Sequence, residues 1–198
     1  MGCCMRQIKN EKLRVRRLPV LFIIILFSAI GSAQSYKFFN FSSADGLCDK
    51  FAYTINQDQQ GFLWIGTSQG LCRFDGKVFE QIFQGDSIPA SIALSSLLDS
   101  RGRLWFGHEN GLISILEDGV FTLITPGDDL RSSVQAIRED RDGNILVLGQ
   151  QSGIMMISPE LEIVYSGNPA DPSDPFAGRF LNDFQVTDEG NLLVGTDQ

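Results

Sequence analysis

Histidine is almost missing from this sequence: His108 stands alone among 198 residues. Neither a His-rich metal centre nor a catalytic triad is available to the chain. Cysteine is scarce as well. Of four, Cys3 and Cys4 fall in the first few residues, leaving only Cys48 and Cys72 and no disulfide framework. Long apolar runs are missing except for one, residues 18–30, and no stretch after residue 35 has convincing helical periodicity. Basic residues are few beyond the N-terminus. Residues 1–33 hold six of the 16 Lys and Arg and one of the 24 acids, leaving 10 basic and 23 acidic residues after them. A balance of −13 in that part argues against a polyanion, so no nucleic acid is expected to be contacted.

The first 33 residues stand apart. Lys9, Lys12, Arg14, Arg16 and Arg17 make a basic head, residues 18–30 an apolar core, and Gly31, Ser32 and Ala33 a small-residue exit before Gln34. That order describes a signal peptide over 1–33, cleaved between Ala33 and Gln34, with the mature domain over 34–198. The competing reading is an uncleaved anchor, but the 13-residue core is short of the ~20 apolar residues that a spanning helix needs. Export makes a disulfide between Cys48 and Cys72 chemically feasible. Their expected places speak against it: Cys48 just before a first strand and Cys72 on a third are about 9–10 Å apart at ~4.8 Å per strand. Two free, half-buried thiols are expected.

What is abundant is glycine in phase. Residues 58–71 read DQQGFLWIGTSQGL and residues 99–112 read DSRGRLWFGHENGL. Asp58, Gly61, Trp64, Gly66, Gly70 and Leu71 recur 41 residues later as Asp99, Gly102, Trp105, Gly107, Gly111 and Leu112. A third copy, DRDGNILVLGQQSGI, begins at Asp140; aligned on Gly149 it carries one extra residue after the turn and Val147 at the tryptophan position. A fourth begins at Asp188 with Gly190, Leu193 and Gly195. Short strands in a period of about 40–45 residues indicate an all-β, partial β-propeller. The expected strands are 51–57, 62–67, 71–75 and 78–83 in blade one, 92–98, 103–108, 112–116 and 120–125 in blade two, and 133–139, 144–149, 154–157 and 161–165 in blade three. Blade four starts over 180–198. Residues 36–41, YKFFNF, keep the register of an outer strand whose own blade is not upstream, as a ring-closing strand would. The chain therefore reads as the N-terminal part of a longer protein, its partners including the missing blades and domains of the same chain.

These residues resemble the two-component regulator propeller proteins. The resemblance rests on Phe39 and Phe41, Asp45-Gly46-Leu47, Ile55, Gln57-Asp58, Gly61-Phe62, Trp64-Ile65-Gly66-Thr67, Gly70-Leu71, Arg73-Phe74-Asp75-Gly76 and Phe79. His108 departs from it, standing where threonine is usual. The resemblance implies a periplasmic sensor ahead of a membrane helix and cytoplasmic signalling domains, histidine kinase included. It implies an oligosaccharide ligand, control of polysaccharide utilisation, and an inner-membrane anchor in the full protein. A homodimer is an open expectation. Alternatives are an exported propeller enzyme, such as a lyase or glycan hydrolase, and a protein-binding scaffold.

No catalytic, cofactor or metal residue is expected. Asp140, Asp142, Gly143 and Asn144 resemble a calcium loop only loosely, lacking its ligand spacing and closing Glu. Asp58 and Asp99 hold the same place without it, which favours a turn. Trp64 and Trp105 could stack on sugars, yet their place inside an apolar run favours packing between blades. His108 is a candidate sugar contact or a structural residue. The longest connection, residues 167–178 (GNPADPSDPFAG), is the expected variable functional loop, a solvated insertion being the alternative.

Overall fold

The computed structural model describes residues 37–197 apart from 83–87, 90, 127–129, 131, 168–170 and 188. The expected signal peptide and its cleavage site at Ala33 and Gln34 lie outside the described residues, as does Tyr36. The chain falls into two units, Met1–Phe39 and Asn40–Gln198. Of the first, the described residues 37–39 form no strand. No helix among the described residues is long and apolar enough to cross a membrane.

Among its described residues the second unit is β apart from one 3-10 turn, Ser43–Asp45, and its connecting loops. Blade one is β1 (Ala52–Gln57), β2 (Leu63–Thr67), β3 (Gly70–Phe74) and β4 (Phe79–Ile82). Blade two is β5 (Ala93–Leu98), β6 (Leu104–His108), β7 (Ile113–Glu117) and β8 (Val120–Ile124). Blade three is β9 (Val134–Glu139), β10 (Ile145–Gly149), β11 (Gly153–Ile157) and β12 (Ile163–Ser166), followed by the pair β13 (Leu181–Val186) and β14 (Leu192–Thr196). Each blade is an antiparallel meander in chain order, and the sheets are not closed into a ring. The first strands β1, β5, β9 and β13 lie side by side. Asn56 Nδ2 donates to Ser96 Oγ at 2.6 Å, and Ser95 Oγ donates to the Val134 carbonyl at 3.0 Å.

Both faces of a middle strand are apolar because each lies between two layers. Trp64 faces blade two, in a cluster with Ala93, Leu104, Phe106 and Phe121. Its ring is 6.1 Å from that of Phe106 and 5.7 Å from that of Phe121. Trp105 repeats this against Val134, Ile137 and Ile145 of blade three. Gly66 is there because no side chain fits: a Cβ on it would lie 2.5 Å from the Ala93 carbonyl oxygen of the next blade.

Strand register corrects the reading of blade three. Ala52 opposes Thr67 and Thr54 opposes Gly66; the same bulged pattern sets Val134 opposite Gly149 and Ala136 opposite Leu148. Gly149 is thus the counterpart of Thr67, Leu148 of Gly66, and Leu146, not Val147, of Trp64. The first two steps are both 41 (66 to 107, 107 to 148), and the third is 47 (148 to 195). Nothing is inserted after the Asp140 turn. The additional residue lies in the turn between second and third strands and enters already in blade two: Leu148 opposes Ile154 as Gly107 opposes Ile113, whereas Gly66 opposes Leu71. Leu146 and Leu148 point at β13, clustering with Leu181 and Phe184.

The expectation of free thiols is overturned: Cys48 and Cys72 form a disulfide, with Cα atoms 5.9 Å apart. Cys48 is not in the plane of the sheet. The 3-10 turn is closed by Ser42 and Asp45, each capping the other, and Gly46 leaves it with φ +97°. The chain then lays Leu47 and Cys48 against Ile65, Cys72 and Phe74. Counting strand spacings measures distance along a sheet, and Cys48 approaches from above its face. Phe41 joins the same layer, 5.2 Å from Phe74 and 5.4 Å from Phe79 between ring centres.

Candidate functional site

The repeated acids sit at one end of the blades, in the turns between first and second strands. Asp58 Oδ1 accepts from the amides of Gln60 and Phe62, at 3.0 and 2.9 Å. Its Oδ2 accepts from the Trp64 indole Nε1 at 2.8 Å. Asp99 does the same with Arg101 and Arg103 amides and with Trp105 Nε1, at 2.9 Å. It also takes Arg103 Nε at 2.6 Å, a buried ion pair. At Asp140 the amides of Asp142 and Asn144 are held alike, and Asn144 Nδ2 replaces the indole at 2.9 Å. Asp140 is therefore occupied as a turn acid, and no group of potential metal ligands gathers among the described residues. The pattern was open to reading: each Trp has an Asp six residues before it, and the third copy, which lacks Trp, has Asn four residues after its Asp.

At the opposite end, His108 ends β6 in complete burial. Its Nε2 shares a hydrogen bond with Ser114 Oγ at 2.7 Å, while Nδ1 closes none. Burial pushes the imidazole pKa down to about 4, with the Ser91 backbone pulling weakly the other way. A neutral, enclosed ring gives no sugar contact. Thr67, its counterpart, serves the β2–β3 turn instead, donating to the Gly70 carbonyl and accepting from the Gln69 amide.

The connection 167–178 also lies at that end. Among its described residues, Asp171 accepts from the amide and hydroxyl of Ser173, both at 2.8 Å, which holds its carboxyl below the usual range. Asp174 accepts from the Phe176 amide at 2.7 Å, and Phe176 packs on the Leu181–Phe184 cluster. The segment is anchored by that phenyl ring and carries one exposed acid, Asp171.

One feature breaks the repeat. Between blades one and two, at the end carrying the acid turns, a groove of about 520 Å³ opens. Trp64, Leu104 and Phe121 line its base and Gln59, Gln60, Glu117 and Asp118 its rim. The Arg73 guanidinium lies 4.8 Å from the Phe62 ring centre and bonds Glu80 at 2.6 Å. Between blades two and three the equivalent space is bridged by hydrogen bonds. Arg103, the counterpart of Phe62, donates to the Pro159 carbonyl at 2.9 Å, as does Arg101, and Ser100 bonds Glu139. Pro159 belongs to a longer third-to-fourth-strand turn, 158–162; blade two makes the same connection with residues 118–119 alone.

The family profile described as "Two component regulator propeller" matches residues 46–69, the segment holding the disulfide's first half, the Asp58 turn and Trp64. Residues 46–69 are thus similar to a two-component regulator propeller repeat. Histidine kinase P4 of Formosa agariphila is 36% identical over 61 residues, which are 31% of this chain and 4% of that one. The propeller superposes on the extracellular domain of BT4673 from B. thetaiotaomicron, a hybrid two-component system, with TM-score 0.64 at 20% identity. That match covers 82% of this chain and 23% of the other. Virginiamycin B lyase from Staphylococcus aureus shares the fold at TM-score 0.59 and 16% identity, over 75% and 50% of the two chains. The propeller thus spans a small part of the histidine kinase and under a quarter of the BT4673 domain.

Proposed function

We propose that this propeller is part of the extracytoplasmic sensor of a two-component regulator, that it responds to oligosaccharides, and that the regulator controls polysaccharide utilisation. The observation that carries the reading is the repeat itself, matched at residues 46–69 to the regulator propellers. The similar histidine kinase and the similar extracellular domain of a hybrid two-component system support it. The Cys48–Cys72 disulfide supports an exported, periplasmic location, because disulfides persist in oxidising compartments. The residues favour binding over catalysis: the lone histidine is buried and neutral, and the turn acids are consumed by backbone and indole donors.

The test is genetic. Cells are grown on a panel of polysaccharides, and transcripts of the degradation genes are measured with and without residues 37–197 of the encoded regulator. Induction by one polysaccharide that disappears on deletion is the expected result. Induction that survives deletion contradicts the proposal.

A further inference from the structure

The groove between blades one and two is built wholly from described residues of adjacent blades, so its shape owes nothing to any further blade. Its size falls in the roughly 300–1,000 Å³ range of small-molecule sites. It exists because two positions differ between neighbouring blades. Phe62 replaces the arginine that bridges the next gap, and the 118–119 turn is too short to reach across as Pro159 does.

We infer that this groove is a binding site for a neutral saccharide unit, an inference that rests on the oligosaccharide-sensing reading above. The chemistry selects the class. Asp58 and Glu80 are already engaged, by Trp64 and Arg73 respectively. Glu117 and Asp118 hold exposed carboxylates with no partner among the described residues, which suits them to accept from sugar hydroxyls. Phe62, one face of whose ring carries the Arg73 guanidinium, supplies the remaining apolar surface for the C–H face of a sugar, and Gln59 and Gln60 supply amides that both donate and accept. Four carboxylates against two guanidinium groups leave the groove at −2, which repels uronates and sulfated sugars.

The test is a titration of the full chain with neutral, uronic and sulfated oligosaccharides, followed by tryptophan fluorescence, because Trp64 lies at the base of the groove. Two variants accompany it. Phe62→Arg recreates the residue that bridges the neighbouring gap, and Glu117→Gln removes one exposed acceptor charge. A neutral oligosaccharide should bind, with Glu117→Gln weakening it about tenfold, or ~1.4 kcal/mol, and Phe62→Arg reducing it beyond detection at an unchanged melting temperature. Should Phe62→Arg fail to fold, Glu117→Gln and Asp118→Asn, both exposed, decide the matter alone. A neutral sugar that binds all variants equally overturns this site and leaves the sensing reading standing. Preference for acidic sugars overturns the class. Failure of every sugar to bind the wild-type chain overturns both.

Discussion

The indole Nε1 of Trp105 donates to Asp99 Oδ2 at 2.9 Å, and the same carboxylate oxygen accepts from Arg103 Nε at 2.6 Å. One acid thereby ties the turn, the middle strand and, through Arg103 and the Pro159 carbonyl, the next blade. Both tryptophans are bound from below by their own repeat.

Asp99→Ala should be the most damaging of the three turn substitutions. It strands a buried guanidinium, a loss of about 3–5 kcal/mol. Asp58→Ala and Asp140→Ala remove acceptors from amides and one neutral side chain, about 1–3 kcal/mol each. Urea denaturation of the three variants ranks them, and equal midpoints would refute the role given to Arg103.

Gly66→Ala should destabilise by roughly 1–3 kcal/mol, because the added methyl meets a carbonyl oxygen of the neighbouring backbone that cannot turn aside. Gly195→Ala, the counterpart in β14, meets no atom nearer than 3.6 Å and should cost less. Thermal melts compare the two.

Reduction of the Cys48–Cys72 bridge, or Cys48→Ser, should lower stability by about 3 kcal/mol, the value for a loop of this length. Mass spectrometry of exported protein should find both cysteines resistant to alkylation until a reductant is added. Ready alkylation would remove the disulfide and one support for export.

His108 sets a pH dependence. Its folded pKa is about 4 against an ordinary 6.5, so between those values the unfolded chain binds the extra proton. The stability it contributes is fully present above pH 6.5 and is lost as pH falls towards 4, on the order of 3 kcal/mol in all. His108→Thr, which restores the residue of blade one, should flatten that part of the melting-temperature profile. An identical slope in the variant would place the titration elsewhere.

Much of the scaffold was legible because glycine-bounded apolar runs and a fixed period determine strands and their order. Blade three reads one residue out of step in the sequence because Gly149 looks like Gly66, whereas the hydrogen-bond register, invisible in sequence, makes it the counterpart of Thr67. The disulfide was missed because it joins a strand to a loop lying over the sheet, a relation that strand spacing does not describe. The groove was missed for a related reason: it arises where Phe62 and the 118–119 turn differ from Arg103 and 158–162, and each difference is innocuous until the blades are stacked.

The central claim, that this propeller senses saccharides, is tested most directly by its melting temperature across an oligosaccharide panel. A ligand at 100 times its Kd adds about 2.7 kcal/mol to the folded state, so one class of neutral oligosaccharide should raise the melting temperature by several degrees. A profile flat across the whole panel at millimolar sugar would contradict the account.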